Sequence, residues 1–156
     1  HGAAAGAGLA IAICCDFRIA GQKAFANTGY ANIGLSGDYG IAWLLTQVVG
    51  AAQARALMLL GDRVDAEESL RLGLFNEVVE DEALPAAAMA LAVRLAGGPS
   101  AAYAAIKKNL DDALSIDHRT AINREAERLA ECRQTDDYRE AIKAFAEKRA
   151  PNFRGR

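Results

Sequence analysis

From Gly2 to Gly8 every residue is glycine or alanine, and from Leu9 to Cys15 every residue is apolar, the run ending at Asp16. A stretch with no side chain beyond a methyl group lets backbone pass close to another backbone or to a ligand. Over so short an apolar run, periodicity does not separate a buried strand from a buried helix, but the preceding glycines favour a turn followed by a helix. Gly6-Ala7-Gly8 then opens that helix at its positive end, where backbone N–H groups can hold an oxyanion or a phosphate. A tight turn that only permits close helix packing accounts for the same residues. The dinucleotide fingerprint is not completed, because no glycine follows at the required spacing, and no Walker-type lysine is present.

Downstream, Phe17-Arg18-Ile19-Ala20 alternates weakly and reads as a short strand turned by Gly21 and Gln22, while Lys23 to Tyr30 is ambiguous. Asn32 to Gly40 carries three glycines and Asp38 directly before Ile41-Ala42-Trp43-Leu44-Leu45, the pattern of a loop feeding a helix. Gly50 is expected to end that helix, and Ala51 to Leu60 to form another that stops at Gly61. Asp65 and Glu68 have the spacing of a capping box, predicting a short helix from about Ala66 to Leu72 with Gly73 beyond it, and Leu74 to Val79 reads as a strand. Beyond Glu80 the β-branched runs cease, and helices are expected over Ala83–Ala96, Ser100–Leu114, Asp117–Arg133 and Asp136–Arg149. Thr135 serves as N-cap of the last, and Pro151 is expected to stop it.

Composition bounds the classes. At 156 residues with 52% apolar and 24% charged, the chain matches one ordinary globular domain, and disorder, collagen and coiled coil fit poorly. The net charge of −2 supplies no general field for nucleic acid or an anionic membrane. Three cysteines without CxxC spacing and two histidines predict a reduced, metal-free, cytoplasmic protein. No apolar run is expected to approach the roughly 18–20 residues of a membrane span. The chain begins His-Gly-Ala rather than Met and enters an apolar segment at once, which predicts processing or truncation.

Few side chains suggest chemistry. Asp38, among Gly37, Tyr39 and Gly40, reads either as a helix-start carboxylate or, beside Tyr30 and Trp43, as a partly desolvated group suited to shuttle a proton. Phe145 with Lys148 and Arg149 gives an aromatic ring between cations, extended by Arg154 and Arg156, and reads as a nucleotide grip or as a solvated helix end. His118 lacks a nucleophile or second ligand nearby; Cys14 and Cys15 read as buried packing, and Tyr30 and Trp43 as core.

The ordered set of segments resembles the enoyl-CoA hydratase/isomerase (crotonase) family. Its carriers are Gly2-Ala3-Ala4-Ala5-Gly6-Ala7-Gly8-Leu9-Ala10, Cys15-Asp16-Phe17-Arg18-Ile19-Ala20, Asn32-Ile33-Gly34-Leu35, Leu60-Gly61-Asp62-Arg63-Val64-Asp65-Ala66 and Gly73-Leu74-Phe75-Asn76-Glu77-Val78-Val79. Thr135-Asp136-Asp137 and Ala144 to Phe153 match the family's ending. The resemblance implies an α/β fold: the C-terminal part of a crotonase-like ββα spiral over 1–80, then a helical C-terminal trimerisation region over 81–156. It further implies an acyl-CoA thioester substrate, with coenzyme A as part of that substrate and no separate cofactor, and a homotrimer or dimer of trimers.

By the same resemblance, the shared step is stabilisation of a thioester enolate by two backbone N–H groups, of which Ala7, between Gly6 and Gly8, supplies one; the other would lie in an upstream segment. Family hydratases add water with two glutamates, whose positions here hold Ala10 and Tyr30, so Asp38 becomes the expected acting carboxylate and isomerisation is preferred to hydration. A nucleophilic role for Asp38 would also need a histidine partner that the sequence does not offer. Gly6, Gly8, Tyr30, Phe145 and Lys148 are the expected substrate contacts, the last two toward the CoA nucleotide. A catalytically inactive fragment or assembly module of the family is the alternative.

Overall fold

Helix α1 (Ala7–Ile13) starts where the glycine/alanine stretch ends, and its periodicity sorts the apolar run onto two faces. Leu9, Ala10 and Ile13 are buried, whereas Ile11 points outward and Cys14 and Cys15 are exposed at the helix end. The expected burial of the two cysteines is therefore corrected: seven residues at 3.6 per turn cannot all face one core.

The computed structural model describes residues 1–156. Two compact units divide the chain, His1–Met89 and Ala90–Arg156. In the first, strand β1 (Ala3–Ala5) pairs in parallel with β3 (Phe25–Asn27) in the register Ala3–Phe25, Ala4–Ala26 and Ala5–Asn27. Strand β3 pairs antiparallel with β4 (Val64–Asp65). A second sheet joins β2 (Ile19–Gly21) in parallel with β5 (Glu77–Val79). Alanines and glycines have low strand propensity, so β1 is made by its partner: with no bulky side chains, the three residues lie against β3 and continue straight into the helix.

Helix α2 (Ile41–Leu60) is interrupted at Gly50, whose φ of 76° and ψ of 162° lie outside the helical range, as the sequence predicts. Taken across that break, it spans 20 residues at a mean hydropathy of 1.3, long and apolar enough to cross a membrane by length and composition. This corrects the expectation that no run approaches that length; the break at Gly50 divides it into two shorter helices. Ile41, Leu45 and Ala54 are buried, but Trp43 is 57% exposed, since it lies about 200° around the helix from Ile41. Trp43 is thus not part of the core. Helix α3 (Ala66–Arg71) is capped by the Asp65 carboxylate, which accepts from the Glu68 N–H at 2.9 Å. The core of this unit gathers Leu9, Ala10, Ile13, Tyr30, Ile41, Leu45, Leu74 and Phe75.

Helix α4 (Leu84–Ala96) contains the boundary between the units. In the second unit α5 (Ser100–Ala113) packs on α6 (His118–Cys132), with Asp112 paired to Arg124 at 2.7 Å and to Arg128 at 2.6 Å. Helix α7 (Asp136–Ala146) begins at Thr135, whose hydroxyl accepts from the Tyr138 N–H at 3.1 Å. It ends five residues before Pro151, so proline is not its stop. Lys148 adopts φ 54°, its N–H donates to Phe145 O at 3.2 Å, and Arg149 N–H donates to Ala144 O at 3.0 Å. That pair of bonds closes the helix in a Schellman motif. The tail then returns to α7, where the buried Asp137 carboxylate accepts from the N–H groups of Arg154 at 2.7 Å and Gly155 at 2.8 Å.

Candidate active site

Gly6 is the N-cap of α1 with φ 51° and ψ −123°, a conformation essentially restricted to glycine. Its N–H donates to Asn27 O at 3.0 Å, and its carbonyl accepts from Leu9 N–H at 3.0 Å and Ala10 N–H at 3.2 Å. The turn is therefore tied on one side to the strand and on the other to the helix it starts. Ala7 and Gly8 follow as the first residues of α1, and their N–H groups have no carbonyl one turn behind them within the helix. Such donors can receive an acceptor from outside.

Tyr30 reaches this turn. A methyl group built on Gly6 would lie 3.8 Å from the Tyr30 hydroxyl oxygen and from the ring carbon that bears it. The ring is 6% exposed and belongs to the core, and its other edge lies 4.0 Å from a methyl group built on Gly37. The segment carrying Tyr30 is anchored on the C-terminal end of α2, at Gly61 O and at Leu57 O, the latter also accepting from Gly61 N–H at 3.1 Å. Thr28 donates to Leu57 O at 2.7 Å, while Asn27 and Asn32 donate to Gly61 O at 2.8 and 2.9 Å. Sequence reading missed this clamp; the signal was the set of side-chain donors at 27, 28 and 32 flanking Tyr30.

The Tyr30 hydroxyl donates a hydrogen bond to Asp38 Oδ1. Burial first, and then that hydrogen bond and the carboxylate's charge, push the phenol above its ordinary pKa, favouring its protonated, donating form. Asp38 is not the helix cap, since Gly40 occupies that position, and only its backbone carbonyl helps the helix start, accepting from Ile41 N–H at 3.0 Å. Nor is Asp38 desolvated: it is exposed, on a loop in which Gly34, Gly37, Tyr39 and Gly40 all have positive φ. That backbone turns the carboxylate back toward Tyr30 and away from the helix end.

The structure thus gathers Gly6, Ala7, Tyr30 and Asp38 in the first unit. Ala10, where the resemblance would put a hydratase glutamate, is completely buried in the core. A concavity of about 340 Å3 lies beside Gly8, Ala12, Arg18 and Phe75, and neither Tyr30 nor Asp38 lines it. Phe145 and Lys148 belong to the second unit. Phe145 is 86% exposed and Lys148 is exposed, but Arg149 is not free to grip a phosphate. Its guanidinium holds Glu140 at 2.6 Å and Glu147 at 2.7 Å. The acidic partners raise its pKa further above an already high value.

Residues 1–156 match the family model for enoyl-CoA hydratase/isomerase. A Rhodobacter capsulatus protein named "Probable enoyl-CoA hydratase" is 42% identical over 156 residues, 100% of this chain and 61% of that protein. The 1,2-epoxyphenylacetyl-CoA isomerase of Escherichia coli K12 is 37% identical over 158 residues, 100% of this chain and 60% of the isomerase. The crystal structure of an enoyl-CoA hydratase/isomerase from Cupriavidus metallidurans CH34 superposes with a TM-score of 0.93 at 38% identity, covering 99% of this chain and 58% of that one. The chain therefore spans about 60% of the length of the relatives it matches.

Proposed function

The chain belongs to the enoyl-CoA hydratase/isomerase family, and from that premise we propose that it carries part of an acyl-CoA site in which Asp38 moves a proton between two carbons of an enoyl thioester. The observation that carries this reading is the hydrogen bond from Tyr30 to Asp38 beside the Gly6 turn. A backbone donor does not depend on side-chain identity, so alanine at position 7 is compatible with holding the thioester oxygen. In the reaction, Asp38 takes a proton from the carbon next to the thioester carbonyl. The C–H electron pair moves into the carbonyl to form an enolate, whose oxygen faces the Ala7 N–H. The same proton is then returned to the far carbon of the conjugated system, and the double bond shifts with no net redox change.

Two-glutamate hydration is the weaker reading for this chain. Its two carboxylate positions hold Ala10, a buried methyl, and Tyr30, a phenol kept protonated, and neither replaces a carboxylate that activates water. The R. capsulatus relative is named "Probable enoyl-CoA hydratase" and the E. coli relative 1,2-epoxyphenylacetyl-CoA isomerase, so the names of this chain's relatives include both a hydratase and an isomerase. Phe145 and Lys148 would contact the CoA nucleotide, Gly6 and Gly8 would line the thioester, and assembly would be a homotrimer or a dimer of trimers. The test is Asp38→Asn in the native protein, assayed by conversion of a 3-enoyl-CoA to its conjugated 2-enoyl isomer. Turnover should fall by about 100-fold or more while thioester binding persists. Turnover equal to wild type removes Asp38 from the mechanism.

A further inference from the structure

Tyr30 occupies a position that the reaction above does not use, yet it is the residue that physically joins the two halves of the site. Its hydroxyl donates to Asp38 Oδ1, and the same oxygen lies 3.8 Å from a methyl built on Gly6. We infer that Tyr30 is a positioning residue for Asp38: its phenol occupies Oδ1 and holds the carboxylate with Oδ2 free for the travelling proton, at a fixed place beside the oxyanion turn. This rests on the proton-transfer reading of Asp38.

Three features favour positioning over simple packing. Asp38 is exposed on a loop of left-handed residues and forms no ion pair, so without Tyr30 its side chain would be free to rotate among several solvated rotamers. Tyr30 has the opposite character: its ring is buried and its flanks are pinned by Asn27, Thr28 and Asn32, so its hydroxyl is a rigid point. A mobile carboxylate tethered to a rigid donor acquires the donor's precision, and proton transfer is sensitive to displacement on the scale of an ångström. Chemistry adds the third. A donor to Oδ1 remains bonded in both protonation states of the carboxylate, because the incoming proton resides on Oδ2. The hydrogen bond therefore survives the whole cycle, and Tyr30 neither gains nor loses a proton.

The ionisable groups whose charge reaches the phenol are Asp38 and Tyr39. Helix α1 presents Leu9, Ala10 and Ile13 to this core, and α2 presents Ile41 and Leu45, so neither contributes a buried charge there.

The experiment is Tyr30→Phe in the native protein, which keeps the ring and removes only the donor, assayed beside Asp38→Asn with the same enoyl-CoA pair. Positioning requires kcat to fall roughly 10- to 100-fold with KM changed less than twofold, the loss of one hydrogen bond to a charged group. A packing role leaves kcat at the wild-type value, since Phe fills the same volume, and that result overturns the inference. Ultraviolet titration of the tyrosines supplies an independent readout, the Tyr30 signal being the difference between wild type and Tyr30→Phe. In Asp38→Asn this phenol should ionise at lower pH than in wild type, and an unchanged titration also overturns the contact. If Asp38→Asn turns over normally, the proton-transfer reading itself has failed; if it is inactive while Tyr30→Phe is fully active, only the positioning role has.

Discussion

Gly6→Ala and Gly8→Ala place the same methyl group two residues apart in one turn, and their effects on stability should have opposite signs. At Gly6 the methyl would meet Thr28 O and the Tyr30 ring at 3.8 Å, ordinary contact distances, so collision contributes nothing. The cost is backbone strain: φ 51° with ψ −123° is a region that residues with a Cβ avoid, at about 1–3 kcal/mol. Reduced freedom of the unfolded chain returns about 0.4–1 kcal/mol, leaving a net destabilisation centred on about 1.3 kcal/mol. Gly8 lies within α1 at helical dihedrals with no atom within 4 Å of an added methyl. There the substitution should stabilise by up to about 1 kcal/mol, the helix propensity difference between the two residues. Urea denaturation followed by the emission of Trp43, the single tryptophan and a member of the same unit, measures both. Equal shifts for the two variants, with Gly6→Ala stabilising as Gly8→Ala does, would show that the turn relaxes to conventional dihedrals and would refute the strained N-cap on which the proposed oxyanion geometry depends.

Two further outcomes are expected. Asp65→Ala removes the carboxylate that accepts from Glu68 N–H and should cost about 1 kcal/mol in the same urea experiment, with Asp65→Asn retaining most of the stability. In the second unit, hydrogen bonds from Arg149 and then from the Asn152 N–H hold Glu140 down at about 2, against an ordinary 4.5. A carboxylate whose folded value is depressed contributes stability above its unfolded value, and that contribution is lost as pH falls through the folded one. Hydrogen exchange at the Asn152 amide should therefore accelerate between about pH 4.5 and 2 relative to a Glu140→Gln control. An acid response identical in the control would place the effect elsewhere.

Local signals were the legible part of this chain. The Asp65 and Thr135 caps and the break at Gly50 each depend on residues within a turn of one another, and all three stand in the structure where the sequence puts them. What depended on distant partners was not legible. Strand β1 consists of three alanines, and only its parallel pairing with β3 makes it a strand. The sequence points to Pro151 as the end of α7, because a lysine in the left-handed region at position 148 has no sequence signal; the turn is held by Lys148 N–H on Phe145 O and Arg149 N–H on Ala144 O. Cys14, Cys15 and Trp43 were read as interior from the company they keep in sequence, yet the helical period turns them outward. Gly6, Ala7, Tyr30 and Asp38 were each singled out from sequence and resemblance. The bond from the Tyr30 phenol to Asp38 was not, because a 3-10 turn at Ala31–Ile33 and a glycine-rich loop lie between the two residues.

That connection separates two kinds of dependence within one site. The proposed oxyanion element is backbone, and the geometry of its turn is set by the dihedrals of Gly6 and by the bond from Gly6 N–H to Asn27 O, so the proposal is compatible with alanine at position 7. The proposed proton-moving element is a side chain on a loop, Asp38, and the proposal gives it a fixed donor, the Tyr30 hydroxyl bonded to its Oδ1. Damage to the first should be felt by any acyl thioester that enters, because the carbonyl is held before chemistry begins and more strongly as the enolate develops. Damage to the second should be felt only once a proton has to move. Gly6→Ala is therefore expected to impair binding and turnover together, and Asp38→Asn and Tyr30→Phe turnover alone. A Tyr30 variant that lost binding in step with turnover would mean that the phenol serves the oxyanion turn through its contact with Gly6 rather than the carboxylate.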